Sequence, residues 1–403
     1  MRDQELRPDA STATPGGAPD PRETMRVLPG FLQPALTWLT GKPLGDQRPW
    51  QLTPLHHLWA SVLPIVAGIA LGAAVVGAGW WMLLLPASWL LTTHGIRKLR
   101  VMIVHQCSHA NFLRRKQIDT AIGSAIALLL VTQEYGEYKS EHVSDHHSSN
   151  HMTLKDPTVQ FLMLVLDMRV GMTRRQLWRR MLAGVFSPRL QAKATYSRIA
   201  SHLRGTAAWY RTLFLALVGG QLMVVIALGI WVEYLVVWVF PLVFLFNAAA
   251  TIRLSSRHIF PARGPVRKGR ATVAGYTHGV FFGEAAPGPD VSGVRRVLSW
   301  SRWWLRMLFV HLPARLFVFV GDGPCHDYHH RFPRSRDWAN YIFARHRDIA
   351  AGHPGWPPYT EVWGLVAAIN AVFTTLSAAD RQLYDVSQVT SVSQQELLSA
   401  FEE

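Results

Sequence analysis

The chain has 403 residues, a formal charge of +15 and 18 His, and its mean hydropathy of +0.10 is high for a soluble protein yet low for a pure transporter. That length fits two soluble domains or one polytopic membrane domain with polar parts outside the bilayer, and the hydropathy favours the second. The two cysteines, Cys107 and Cys325, have no paired spacing, which excludes a disulfide framework, a zinc ribbon and an iron–sulfur cluster.

Residues 1–55 are rich in Pro, Gly and charge and lack the apolar run of a signal peptide, so they read as a partly disordered tail on the cytosolic side. Leu58 to Thr93 is almost wholly apolar, broken only near Gly77–Gly79. A bilayer needs roughly 20 helical residues per crossing, so this stretch predicts two short spans joined by a glycine turn. Ile118 to Val131 is apolar but short and predicts an interfacial or core helix.

From Met168 to Arg211 ten Lys or Arg occur with no Asp or Glu. Beside membrane spans such a run marks the cytosolic face and attraction to anionic headgroups rather than nucleic acid. Leu213–Val232 and Tyr234–Ala250 predict a second pair of spans turning at Glu233, whereas Arg306, His311, Pro313 and Arg315 interrupt Trp303–Val320 and argue against a fifth. Trp80, Trp81, Trp300, Trp303 and Trp304 read as interface anchors. The expected fold is an all-α integral membrane protein. Four spans in two hairpins fill a domain over 56–350 with a cytosolic helical cap, and 351–403 form a C-terminal tail or helix.

Eight histidines fall in three short windows: His105 and His109; His142, His146 and His147; and His326, His329 and His330. Residues four apart share a helix face, so His105 and His109 can address one metal. His326, His329 and His330 are expected to share a face as well. His142 and His146 are one turn apart, whereas His147 points away and His151 follows four residues later as a ligand or supporting partner. A lone pair of this kind is more often surface than ligand. Three such clusters at membrane boundaries point to a metal site of more than one ion. Glu141, Asp145 and Asp327 are placed to orient imidazoles through their second nitrogen.

These residues resemble the membrane fatty-acid desaturase and hydroxylase superfamily of non-haem diiron oxidases. Its three boxes, H-x(3–4)-H, H-x(2–3)-H-H and H-x(2–3)-H-H, match His105–His109, His142–His147 and His326–His330, and Asp156-Pro157 is similar to the family's Asp-Pro after the second box. The resemblance covers about residues 55 to 345. It implies a ninth ligand at His258, in Arg253-Leu-Ser-Ser-Arg257-His258, where Arg257 replaces the family's acid, and a water-holding role for Asn247. Glu141-His-Val-Ser-Asp-His-His147 is also similar to the E-H-x-x-G-H-H box of alkane monooxygenases, with Asp145 in place of Gly. His353-Pro-Gly-Trp356 departs from the H-P-G-G of a fused cytochrome b5, and the tail behind it is too short for a haem domain.

The resemblance implies two iron ions, O2 as co-substrate, and electrons from a separate ferredoxin, rubredoxin or cytochrome with its reductase. The substrate would be a fatty-acyl chain, free or bound to CoA, a carrier or a phospholipid, with His278 watched as a residue of its channel. Desaturation is the favoured outcome and hydroxylation of an acyl chain or hydrocarbon the alternative. A metal transporter or sensor is the reading from another class, disfavoured because every box lies at or beyond a span end. A zinc hydrolase lacks its H-E-x-x-H.

Overall fold

The computed structural model describes residues 19–146, 150–262, 269–352 and 355–389. The chain is mostly helical, and its first long element after the short helix α1 (Gln33–Thr40) is the apolar helix α2 (Pro54–Val75). Pro54 at the first turn costs no hydrogen bond, and Thr53 with His56 closes a capping box that starts the helix. Helix α3 returns over Leu85–Lys98, continues through a π-helical segment, Leu99–Val104, and ends at His105–Ser108.

Helices α2 and α3 touch backbone to backbone. A Cβ on Gly68 would lie 2.3 Å from Thr92 Oγ1, and one on Gly95 2.3 Å from the Ser61 carbonyl. Ser88 uses this proximity to donate to the Gly68 carbonyl at 2.7 Å. Small residues at a helix interface in lipid gain dispersion contacts and interhelical hydrogen bonds where no hydrophobic driving force exists. Helices α2 and α3 therefore pack as an antiparallel pair, with Trp80 and Trp81 exposed at its tip.

Among the described residues three helices are long and apolar enough to cross a membrane: α2, α9 (Ala208–Leu228) and α10 (Trp231–Leu254). The α-helical part of α3 is shorter than a full crossing. A fourth candidate is instead α11 (Gly293–Val318), which bends by 76° into the segment Gly323–Arg331. The sequence argued against a span there because of its charges. In the fold those charges are absorbed: Arg315, 1% exposed, donates to the carbonyls of Trp38 and Gly321 and to the Tyr341 hydroxyl. Trp303, expected at the interface, is buried and donates to the Glu284 carbonyl.

Helix α10 is π-helical over Tyr234–Leu245, where Pro241 lacks the N–H that would reach Val236. The freed Val236 carbonyl accepts from Trp89 Nε1 at 2.8 Å, and the Leu242 carbonyl accepts from Arg198. A bend that would expose backbone to lipid is thus satisfied from neighbouring helices.

Between the hairpins lie α4 (Lys116–Leu130), half-buried as its length predicts, α5 (Tyr135–Ser140), α6 (Pro157–Gln160), α7 (Arg174–Val185) and α8 (Pro188–Leu203). After α11 come α12 (His326–Arg331) and α13 (Tyr341–Ala350).

One expectation is corrected: the fold is not purely helical, since β1 (Gly279–Phe281) pairs in parallel with β2 (Glu361–Trp363). Both terminal segments also contribute to the core: α14 (Leu365–Ala378) packs Ile369, Val372, Phe373 and Leu376 into a core with Phe161 and Leu254, and Met25, Leu36 and Leu39 pack against Trp303 and Met307. Burial of these apolar side chains holds the segments in place.

Candidate metal centre

The histidines are delivered by the ends of helices. His105 and His109 close α3. His142 and His146 occupy a π-helical turn, Glu141–His146, that extends α5, while His326, His329 and His330 ride on α12 just after the 76° bend. His258 follows α10, fixed by a bridge to Thr277 whose hydroxyl lies 3.0 Å from its Nδ1.

These side chains gather in two adjoining buried pockets. His105, His109, His142 and His329 form one set, and His146, His258, His326 and His330 the other; within each set the ring nitrogens lie within 4.8 Å of one another. In the first pocket Nε2 of His105 lies 2.8 Å from Nε2 of His329, and Nε2 of His109 lies 3.0 Å from Nε2 of His142. In the second, Nε2 of His330 lies 3.1 Å from Nε2 of His326. Two nitrogens bonded at about 2.1 Å to one ion at a right angle would be about 3 Å apart, so the rings already stand at ligand spacing. The pockets adjoin through the His142–His146 and His326–His329 ring stacks, both at 5.8 Å.

The donor set suits a divalent transition metal. Burial holds His109 and His258 well below the usual imidazole range, so both stay neutral and keep a lone pair. The Nε2 atoms of His258 and His151 are buried with no hydrogen-bond partner, a costly arrangement unless an ion accepts their lone pairs. Neither cysteine belongs to a pocket, so the ligand chemistry is all nitrogen and carboxylate.

The boxes are sorted differently from their sequence spacing. His329 faces the first pocket while His326 and His330 face the second, so the third box does not present one face to one ion. His142 and His146 likewise part company. His147 and the Asp145 side chain lie outside the described residues. His151 enters the second pocket, its ring 4.6 Å from that of His258 and 4.7 Å from that of His146.

Of the supporting residues expected from sequence, Asp327 pairs with Arg345 at 2.8 Å, and Glu141 accepts from Gln133. Asn247 is not turned to the histidines: its amide donates to Gln191 and accepts from Arg198. His278 lies 2.9 Å from the Ser256 carbonyl, one residue before Arg257, and belongs to neither pocket.

The carboxylate with the largest part is Asp156, quoted above only as half of an Asp-Pro pair. One oxygen lies 3.4 Å from His146 Nδ1 and accepts from the Thr158 amide; the other lies 3.1 Å from His151 Nδ1 and accepts from the Met152 amide. Burial would push this carboxyl up, but His146 and His151 beside it hold it well below the usual carboxylate range. Asp156 is placed to orient the His146 and His151 rings through their Nδ1 atoms.

We expect Asp156→Asn to keep the helix cap and fold, yet to weaken metal binding about 10–100-fold, as outer partners of ligands do. Chelator competition on the purified chain measures this, and an unchanged affinity would remove Asp156 from the site. Tyr138 was also missed. Its ring stacks on His142 at 5.4 Å and its hydroxyl lies 3.4 Å from His105 Nδ1. In the sequence Tyr138 stands four residues before His142 and Thr277 beside His278, signals too weak to choose them among neighbours.

The chain is similar to the chloroplastic omega-6 fatty acid desaturase of Brassica napus, 30% identical over 124 residues covering 30% of this chain and 27% of the relative. It is also similar to that of Spinacia oleracea, 30% identical over 98 residues covering 24% and 21%. These matches span only about a quarter of each relative's length. The pattern of the fatty acid desaturase family itself matches residues 78–363, well over half of the chain and inclusive of every box, and this protein belongs to the fatty acid desaturase family.

Proposed function

We propose that the chain is a membrane diiron oxidase that uses O2 and external electrons to desaturate a fatty-acyl chain. One observation carries the reading: two adjoining, fully buried pockets of four imidazoles each. His105, His109, His142 and His329 would hold one ion, and His146, His258, His326 and His330 the second, with His151 as a fifth imidazole. Two irons bound there supply reductive activation of O2 and an oxidant able to take hydrogen from an unactivated C–H bond. The protein's own part is to hold eight or nine neutral imidazoles in place, to set their tautomers through Asp156, Thr277 and Tyr138, and to exclude water.

The basic run of 168–211 supports a cytosolic placement of the boxes and both termini. Electrons would then come from a soluble ferredoxin, rubredoxin or cytochrome. Hydroxylation is the second reading, favoured by the likeness of the middle box to alkane monooxygenases. The two outcomes differ only in where the substrate carbon lies.

Expression in a host whose lipids are profiled by mass spectrometry, beside a His329→Ala control, tests the reading. A loss of two hydrogens that needs the intact site supports desaturation, and an added oxygen supports hydroxylation. Tightly bound zinc with no O2 consumption would sink both and favour a metal carrier.

A further inference from the structure

A cavity partly open to solvent lies outside the metal pockets, between the N-terminal arm, the α2–α3 hairpin and the segment that leads into α13. Its walls are mainly apolar and aromatic, with Trp38 and Trp50 from the arm facing Tyr341 and Phe343. One full charge enters it, the ammonium of Lys98, a side chain from the end of α3 that is 6% exposed.

No acidic residue lines the cavity, and among the described residues Lys98 has no ion pair or hydrogen bond. The other polar groups nearby are already used. His57 Nε2 donates to the Ala339 carbonyl at 2.8 Å and His94 Nδ1 to the Leu316 carbonyl at 2.9 Å. Arg315 is committed to the Trp38 and Gly321 carbonyls and stacks over Trp38, so it adds positive charge without neutralising any. An ammonium without a partner in such surroundings is expensive, and a ligand anion removes the cost. One fixed charge among apolar walls is complementary to a single-chain amphiphile with an anionic end.

The placement relative to the metal pockets fits such a ligand. Lys98 precedes His105 by seven residues on one continuous helix, about 10 Å along its axis. Gly321, which also lines the cavity, precedes His326 by five residues. Gly321 holds φ +58°, and a Cβ there would lie 2.8 Å from Met102 Sδ, so only a glycine fits between the cavity and the helix that carries the first box.

We propose that this cavity holds the anionic head, a carboxylate or phosphate monoester, of a single-chain lipid, with Lys98 as its counter-charge. The proposal rests on the acyl-chain reading above for why a lipid is present, but its test is binding and not turnover.

The probes are oleate, oleoyl lysophosphatidate and neutral methyl oleate, titrated into the full chain in uncharged detergent micelles and followed by calorimetry at fixed micelle fraction. Wild type should bind at least one anionic lipid about tenfold or more tighter than the methyl ester, the range of a hydrogen bond to a charged group. Lys98→Met should erase that preference and Lys98→Arg keep it.

Preference for oleate alone assigns the head as carboxylate, and preference for lysophosphatidate alone as phosphate; either supports the proposal. Methyl oleate binding as tightly as both anions in wild type overturns it, as does a preference that survives Lys98→Met. Should Lys98→Met fail to fold, the wild-type comparison and Lys98→Arg still decide. A failed oxidase reading would appear as absent O2-dependent product, which leaves the anion preference untouched.

Discussion

His258→Ala is expected to lower bound iron from about two to about one per chain and to cut product formation by far more than the 10–100-fold typical of an outer partner. His329→Ala is expected to do the same through the other pocket. The expectation comes from the partition of ligands: His258 and His329 belong to different sets of four, and no ring is shared between the sets. Removing His329 leaves three imidazoles in its pocket and removing His258 leaves three besides His151, and under the proposed diiron reading losing either ion would disable the centre.

His278→Ala is the control. Its ring is buried near the same strand but is held by the Ser256 carbonyl, so that variant should retain both irons. Iron analysis of the three purified variants, with product measured in parallel, checks the scheme. Full iron and full rate in His258→Ala would remove the second pocket from the chemistry.

Arg345→Met is expected to destabilise the protein by about 3–5 kcal/mol, the range for breaking a buried ion pair by removing one partner. Arg345 is 3% exposed and donates to both oxygens of Asp327, 0% exposed, and to Glu361, which also meets Lys42. Lys42 in turn meets Asp20 of the N-terminal arm. The network joins the arm, β2 and α13 to the third box, since Asp327 stands between His326 and Tyr328. Its loss would strand the Asp327 carboxylate in a dry interior.

The double variant Asp327→Asn with Arg345→Met should recover much of the loss, because no unpaired charge remains. Thermal unfolding in detergent distinguishes the two. Equal destabilisation of single and double variants would show that the pair is not coupled.

How much was legible beforehand follows from the range of each signal. Helical content, the clustering of the boxes and the Gly77–Gly79 turn are local signals, and these hold in the fold. The missed features depend on what lies opposite. Asn247 matched a family position by sequence, yet Gln191 and Arg198 of α8 occupy its amide. Asp156 was legible only as half of an Asp-Pro pair; its role comes from His146, His151 and the amides of Met152 and Thr158, which converge on it. Arg315 looked like a charge that breaks a span, until Trp38 and Tyr341 from distant segments, with the nearby Gly321 carbonyl, satisfied it.

The sequence by itself determined that this is a helical membrane protein with enough imidazole for more than one metal ion, because ligand type, ligand spacing and hydropathy are written along the chain. Only the tertiary structure decided which histidines share a pocket. Successive helical residues point about 100° apart, so α12, inserted between the two pockets, sends His329 to one side and His326 and His330 to the other. His142 and His146, one turn apart on Glu141–His146, likewise enter different pockets because the two pockets flank that turn. Spacing gives an angle between side chains, and the pocket each one enters is set by where the rest of the fold places the helix.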